Sequence, residues 1–443
     1  MLKTFRLGGI HPKENKLSAG NTIQPIEIPA QVAIPLTQHI GAPCQAVVKR
    51  GDKVKVGTLI GKSVGFVSAN IHSPVSGSVF KIDQVLDASG YKKDAVIIKV
   101  EADEWEENID RTDTLIKECN LSSKEIVDKV AEAGIVGMGG ATFPTHIKLM
   151  PPPGTKAEVL IINGVECEPY LTSDHQLMME KTEEILVGIT ILMKALKVGQ
   201  AIIGIENNKK DAIAKFKKAC KNYLGISVLP LKVQYPQGGE KQLIDAAIKR
   251  QVPSGKLPIS VGAVVQNVGT TFAVYEAVQK NKPLVERVVT VTGKDVKKPC
   301  NVLSRIGVPI SNLIDYSGGL PESTGKVISG GPMMGKALAS IDVPVTKGTS
   351  GVLIVQTLEA KRNQMRDCIR CAKCIDVCPM GLNPTLLMNL TEYSEWDRVE
   401  QERATDCIEC GSCSYTCPSD RPLLDYIRLG KSTVSKIIRE RKD

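Results

Sequence analysis

Cys368-Ile-Arg-Cys371-Ala-Lys-Cys374-Ile-Asp-Val-Cys378-Pro379 returns further along the chain as Cys407-Ile-Glu-Cys410-Gly-Ser-Cys413-Ser-Tyr-Thr-Cys417-Pro418. Both copies read C-x2-C-x2-C-x3-C-P, the run in which each 4Fe–4S cube takes three cysteines from one copy and a fourth from the other. Three thiolates on a tight loop can cap three irons of one cube, while the cysteine before proline points toward its neighbour. This assigns Cys368, Cys371, Cys374 and Cys417 to one cluster and Cys407, Cys410, Cys413 and Cys378 to the other. Paired zinc sites are the alternative, but zinc is satisfied by two separated CxxC pairs, and a third cysteine plus CP is then superfluous. The 28 residues between the copies include PTLLMNLTEYSEWDRVEQERA, of helical composition and without an internal breaker. A helical two-cluster module is expected, a one-electron wire that needs a donor and an acceptor.

The rest of the chain frames that module. At 443 residues it exceeds one ordinary core, so several domains are expected. Thirteen cysteines without a signal-peptide pattern point to metal or redox chemistry in the cytoplasm rather than to structural disulfides. The remaining five, Cys44, Cys119, Cys167, Cys220 and Cys300, read as ordinary thiols, with Cys167 having the best claim to more. The 4% aromatic content argues against a surface that stacks nucleic-acid bases. The net charge of +9 is scattered, apart from a basic tail from Lys431 to Lys442, and decides nothing. No apolar run is long enough to span a membrane; Ile185 to Ile205 reads as helix, turn and strand.

A second signal is Gly137-Met-Gly139-Gly140-Ala-Thr-Phe143-Pro-Thr-His-Ile-Lys148. It follows a capped helix, Ser123 to Ala133, and precedes an apolar strand, Glu158 to Asn163, that ends in Gly164-Val-Glu166-Cys-Glu168-Pro-Tyr. Clustered glycines let backbone amides approach a phosphate or a flat ring, and Lys148 offers a fixed positive charge. A dinucleotide fingerprint would place a strand before the glycines, whereas here a helix stands there. Taken alone, the loop reads equally well as a tight turn. Downstream, Gly238-Gly-Glu240-Lys opens one helix and Gln266-Asn267-Val-Gly-Thr another. The alternating helical and strand patterns between them argue an α/β domain with a largely parallel sheet. Polar or glycine-rich turns at the strand ends are what a nucleotide cleft requires. Other chemistries find no footing. Val56 stands where a Walker loop ending in Gly61-Lys62-Ser63 needs glycine, and neither HExxH nor GxSxG occurs.

Together, GMGGATFPTHIK, NGVECEPY, GGEK, VQNVGT and the twin cysteine runs resemble the RnfC family, the soluble subunit of the Rnf ferredoxin:NAD oxidoreductase. That likeness covers essentially the whole chain, including GGIHPKENK near the start. Residues 120 to 345 are also similar to the flavin- and NADH-binding subunit of respiratory complex I. The resemblance implies that Gly137, Gly139, Gly140, Lys148, Asn163, Glu166, Glu240 and Asn267 hold a non-covalent FMN. It further implies that Phe143 stacks on the adenine of NADH and that Glu168 lies near the nicotinamide nucleotide. The complex I subunit has arginine at the place of Met138 and aspartate at that of Val165, so contacts made by those side chains do not carry over.

The fold class is accordingly multidomain, mixing α/β and α+β. Residues 1–105 carry an N-terminal segment and a barrel-sandwich domain of the lipoyl kind, whose Ser73-Pro74-Val75-Ser76 lacks the modifiable lysine. Residues 106–282 form the FMN/NADH domain, and 283–345 a β-grasp domain of the SLBB kind. Residues 346–430 form the two-cluster domain, and 431–443 a basic tail. The resemblance implies an NADH-dependent oxidoreductase and translocase component. Its partners would be the other subunits of a membrane-bound complex and, through one of them, ferredoxin; it would sit peripherally on the cytoplasmic face and take no nucleic acid. A soluble flavin/iron–sulfur cobalamin reductase of a microcompartment is the alternative, which the N-terminal GGIHPKENK segment disfavours. Iron analysis of anaerobically purified protein should give about eight irons per chain; about two zinc ions instead would overturn the cluster assignment.

Overall fold

Four short apolar runs build the sheet on which the rest is hung. In the computed structural model, which describes residues 2–441, they form β1 (Val159–Asn163), β2 (Ala201–Glu206), β3 (Ile226–Leu231) and β4 (Ala263–Asn267). All pair in parallel, in the order β3-β2-β1-β4. Strands buried on both faces need near-continuous apolar sequence, and Val159 to Ile162 of β1 are all buried. The helices α1 (Ser123–Glu132), α2 (Ser173–Glu180), α3 (Thr182–Leu196), α4 (Lys210–Ala219), α5 (Glu240–Ile248) and α6 (Val268–Lys280) cover the sheet. Helix α1 starts at a capping box, in which the Ser122 hydroxyl accepts from the Glu125 amide and the Glu125 carboxylate from the Ser122 amide. Ile185 to Ile205 divides into α3 and β2, as its two interrupting lysines suggest.

Ahead of this domain, two small sheets face each other as a barrel sandwich. One orders Gln31–Pro35, Lys92–Ala102, Ser76–Leu86 and Lys53–Val54, and the other Gln45–Ala46, Leu59–Lys62 and Ile71–His72. Following it is a six-stranded sheet containing Glu286–Thr292, Cys300–Arg305 and Thr324–Ser329. Here the structure corrects two expected boundaries. Gly351–Gln356 inserts between Glu286–Thr292 and Thr324–Ser329, satisfying the edges of both, so this sheet extends well past residue 345. Ile23–Pro25, from the N-terminal segment, pairs in parallel with Cys300–Arg305 and closes the other edge. Residues 3 to 10 run across the α/β domain, where Lys3 bridges Leu231 and Ile10 bridges Tyr235.

The cysteine module is helical, with two further corrections. The segment expected as one uninterrupted helical run breaks after α7 (Pro384–Glu392), because Ser394 adopts a left-handed φ of 58°. The break turns Trp396–Gln401 back so that Val399 is fully buried beneath α8 (Leu423–Glu440). Helix α8 itself runs straight through residue 431, where a separate tail was expected. Its stripe Leu423, Ile427, Gly430 and Val434 is buried, which fixes the helix on the module; Lys442 and Asp443 lie outside the described residues. Among the described residues no helix is long and apolar enough to cross a membrane.

Gly188 lets α3 and α6 pack closely, since a Cβ there would press into the Thr271 carbonyl and lie 3.0 Å from Thr271 Cγ2. The same contact fixes where α6 begins, and hence where Asn267 stands. Gly188→Ala should therefore lower stability by roughly 1–3 kcal/mol, despite alanine's better helix propensity, as read from urea unfolding.

Candidate flavin and cluster sites

The strand order reverses between β1 and β4, and at such a switch point the loops diverge to leave a crevice at the carboxyl ends of the strands. Asn163 and Asn267, the last residues of β1 and β4, stand side by side in register there. Asn163 donates to the Gly238 carbonyl at 2.8 Å and accepts from the Val165 amide at 3.2 Å. Asn267 caps α6, accepting from the Gly269 and Thr270 amides at 2.8 and 3.3 Å and donating to Asp174 at 2.7 Å.

The glycine loop folds over this crevice, closed by a 2.8 Å bond from the Gly137 amide to the Phe143 carbonyl. Gly139 lies so close to Asn267 that a Cβ would sit 3.2 Å from the asparagine's Cβ. Gly140 has a φ of 147°, and the direction its Cβ would take is empty for 4 Å. Lys148 pairs with Glu240 at 2.6 Å and donates to the Val265 carbonyl at 3.2 Å, bringing positive charge to the end of β4. Phe143 is half-buried. Two bare glycines, two amide side chains and a lysine–glutamate pair thus converge on one crevice, a donor set suited to a flavin nucleotide.

The two other acidic residues singled out behave differently. Glu166 spends its carboxylate on the start of α2, accepting from the Asp174 amide at 2.7 Å and the His175 amide at 3.2 Å. Its backbone takes a left-handed φ of 46°. Glu168 accepts from the amides of Met333 and Met334, at 3.2 and 2.7 Å, on a glycine-rich loop of the six-stranded sheet. Burial pushes its carboxyl up to about 7, against the pull of those two amides and Lys16. Burial, with Glu166 beside it, likewise pushes Asp174 up to about 6.

At the other end, Cys378, Cys407, Cys410 and Cys413 line one cavity whose remaining walls are mostly apolar, with Leu382, Ile408, Leu424 and Ile427 beside the one hydroxyl of Ser412. Burial, then the neighbouring Cys410 and Cys407 thiols, pushes Cys413 up to about 12; burial does most to bring Cys407 to about 11. Bound iron would replace those protons outright. Amides already point at the sulfurs: Leu382 donates to Cys378 at 3.4 Å and Glu409 to Cys407 at 3.3 Å. The two cysteine loops share one backbone course, with left-handed residues on either side of each middle cysteine: Arg370 and Ala372, then Glu409 and Gly411. For the second set, the Arg366 amide donates to the Ser419 carbonyl and its guanidinium to the Pro418 carbonyl, at 3.0 and 2.7 Å. That draws the start of the first run against the Cys417 end of the second. Among the described residues no three His, Cys, Asp or Glu converge tightly enough to hold one metal ion. The sulfurs of Cys378, Cys407, Cys410 and Cys413 surround a space, as a cube with an iron at each ligated corner requires.

Family models match the chain in the same order. They are an RnfC barrel sandwich hybrid domain over residues 3–103 and a Nuo51 FMN-binding domain over 130–276. An SLBB domain follows over 288–337 and a 4Fe-4S dicluster domain over 360–418. One relative, from the proton-translocating ferredoxin:NAD(+) oxidoreductase complex of Clostridium ljungdahlii, is 48% identical over 91% of this chain and 87% of its own length. Its counterpart in the Na(+)-translocating complex of Acetobacterium woodii is 44% identical over 97% of each. The corresponding component of the ion-translocating oxidoreductase complex of Rhodobacter capsulatus is 41% identical, over 86% of this chain and 74% of that one. The chain belongs to the RnfC family.

Several residues that build this RnfC-family site carry no motif of their own. Lys16 is half-buried and donates to the carbonyls of Glu166, Glu168 and Leu171 at 2.7–2.9 Å, and the buried Lys209 donates to that of Val165 at 2.7 Å. Tyr235, 2% exposed, bonds the Cys410 carbonyl at 2.8 Å and so ties the sheet to the cluster module. Lys16 sits within GGIHPKENK, a stretch that marks the family without suggesting this role. Cys167 accepts from the Gly238 amide at 3.3 Å, and burial pushes its thiol far up.

Glu168 makes stability pH-dependent in a defined direction. Its carboxyl titrates at about 7 when folded, against an ordinary value of 4.5, so the folded state keeps the proton longer. The stabilisation is complete below pH 4.5 and is lost as pH rises through about 7. Urea unfolding at stepped pH should show that decline, and Glu168→Gln should flatten it.

Proposed function

We propose that the chain exchanges hydride between NAD(H) and an FMN held in the crevice between β1 and β4. It passes the electrons singly through two 4Fe–4S clusters, as the RnfC component of an ion-translocating ferredoxin:NAD+ oxidoreductase. A flavin supplies the conversion between two-electron and one-electron chemistry. The chain's own residues bind and orient. Gly137, Gly139 and Gly140 give close backbone approach, Asn163 and Asn267 offer amide groups, and Lys148 and Glu240 a fixed ion pair. Glu166 contributes through its backbone, Phe143 offers a ring to the adenine, and Glu168 shapes the neighbouring wall. The observation that carries the reading is the Tyr235–Cys410 bond, which holds a cysteine-lined cavity directly behind the loops of the crevice.

We place the chain on the cytoplasmic face of a membrane through the other subunits of the complex. The relatives from Clostridium ljungdahlii and Acetobacterium woodii are named for different ions while sharing this component, so the choice of ion falls to the membrane subunits. None of the relatives described above is named a cobalamin reductase.

NADH added to the anaerobic protein should bleach flavin absorbance, and denaturation should release FMN. Gly139→Val, which drives a side chain into Asn267, should abolish FMN binding while leaving the iron content unchanged. Failure of both bleaching and FMN release in the wild type would refute the flavin reading.

A further inference from the structure

The glycine loop that folds over the crevice is gripped from outside by the six-stranded sheet. Arg287, on the strand Glu286–Thr292 of that sheet, is 6% exposed. Its Nε donates to the Thr349 carbonyl at 3.1 Å and its Nη2 to the Met138 carbonyl at 3.4 Å. Met138 stands between Gly137 and Gly139, and its amide donates to the Thr270 hydroxyl at 2.8 Å, so both of its backbone groups are engaged. The other end of the loop meets the same partner. Residues 346–349 form a turn closed by the Thr346 amide on the Thr349 hydroxyl at 3.0 Å, and a Cβ on Gly348 would sit 2.7 Å from Thr142 Cγ2. Lys347, 1% exposed, fixes that turn by donating to the Asn70 carbonyl of the barrel and the Gly134 carbonyl beyond α1, at 2.6 and 2.7 Å.

Arg287 brings charge as well as a mechanical hold. Both of its bonds go to carbonyls, and among the described residues it makes no ion pair. Asp174 attracts it through space, but the Asp174 carboxylate accepts from Asn267 at 2.7 Å instead. Burial lowers Arg287 to about 10 against that attraction, so it stays a cation at neutral pH. A guanidinium without a paired carboxylate thus sits on the peptide that joins Met138 to Gly139. Asp174 feels the charges of Glu166, Arg287 and Lys209 together, two acids against two bases, so loss of Arg287 would tip that group toward the negative. Hydride brings a flavin ring two electrons and one proton, which adds one negative charge to it. A fixed cation nearby favours the charged product over the neutral reactant.

We propose that Arg287 is a positioning residue for the flavin: it holds the Met138 peptide in place, and its charge shifts binding in favour of the reduced ring. The turn at residues 346–349 supplies the second grip, on Thr142, and acts on position. The six-stranded sheet is thereby part of the flavin site, although it contributes nothing to the crevice itself. Binding and reduction are linked, so a site that gains affinity for the reduced form raises the flavin potential by the same free energy. Arg287 therefore sets how readily hydride leaves NADH. The proposal rests on the flavin reading of the crevice and deepens it by naming the residue that tunes it from behind.

The test uses the anaerobic, cluster-loaded full chain, at a pH above the range in which Asp174 titrates. Two quantities are measured: Kd for oxidised FMN by equilibrium dialysis, and the midpoint potential of the bound flavin by spectroelectrochemical titration. Arg287→Met should raise Kd at least fivefold. It should also lower the potential by the equivalent of a tenfold loss of preference for the reduced form, about 30 mV for a two-electron couple. Iron content and the electron paramagnetic resonance of both clusters should not change. Arg287→Lys, which keeps the charge and loses the fork, should recover the potential and not the affinity. Gly348→Ala, which presses a methyl group on Thr142 and alters no charge, should raise Kd at least threefold with the potential unmoved. A wild-type potential in Arg287→Met, or an equal fall in Arg287→Lys, overturns the role of the charge. Should Arg287→Met fail to assemble, an unchanged Kd in Gly348→Ala overturns the clamp. A wild type that binds no FMN at all refutes the flavin reading and this proposal with it, whereas bound FMN with an unmoved potential refutes this proposal alone.

Discussion

One lysine ammonium, surrounded by backbone carbonyls, holds the site in shape. Lys16 satisfies three carbonyls of the loop that leaves β1, and burial lowers its pKa against the pull of Glu166. A loop with so many inward-turned carbonyls would not stay buried without a donor at its centre. Once pinned, that loop becomes the meeting place of three parts of the chain. Its Glu166 starts α2, its Glu168 holds the Met333–Met334 turn, and Thr172 just beyond it joins Ser18, Thr290 and Asn301 in a buried network. The crevice, the six-stranded sheet and the N-terminal segment are therefore positioned by one short stretch of backbone.

The division of labour between side chains follows from that arrangement. Glu166 and Glu168 tie the scaffold together, and the crevice is lined by glycines, amides and one ion pair. Such a surface is chemically quiet. Hydride and electron transfer ask for position and exclusion of water more than for acids and bases, and the structure provides the former.

The two cysteine runs were legible because their chemistry is local: ligand spacing is written within a dozen residues, and the crossed ligation follows from the proline. The glycine loop and strand ends were legible as a group, since each turn alone was ambiguous and only their succession argued a cleft. Lys16, Tyr235 and the Met333–Met334 turn were not legible, because each acts on a partner far away in sequence and no local pattern records that. The same reason explains the misplaced boundary at residue 345. Gly351–Gln356 reads as a strand only when the edges it fills are known. The break at Ser394 and the continuation of α8 past residue 431 depended likewise on which faces Val399 and Val434 bury.

The threading of the N-terminal segment bears on how the molecule comes into being. Gly9 and Ile10 stand hundreds of residues ahead of their partners, Val377 and Tyr235, and so leave the ribosome before them. Ile10 can pair once Tyr235 has been made, while the Gly9 bond must wait for Val377. The segment's closure over Val377 and Cys378 can only follow the appearance of the first cysteine run from the ribosome.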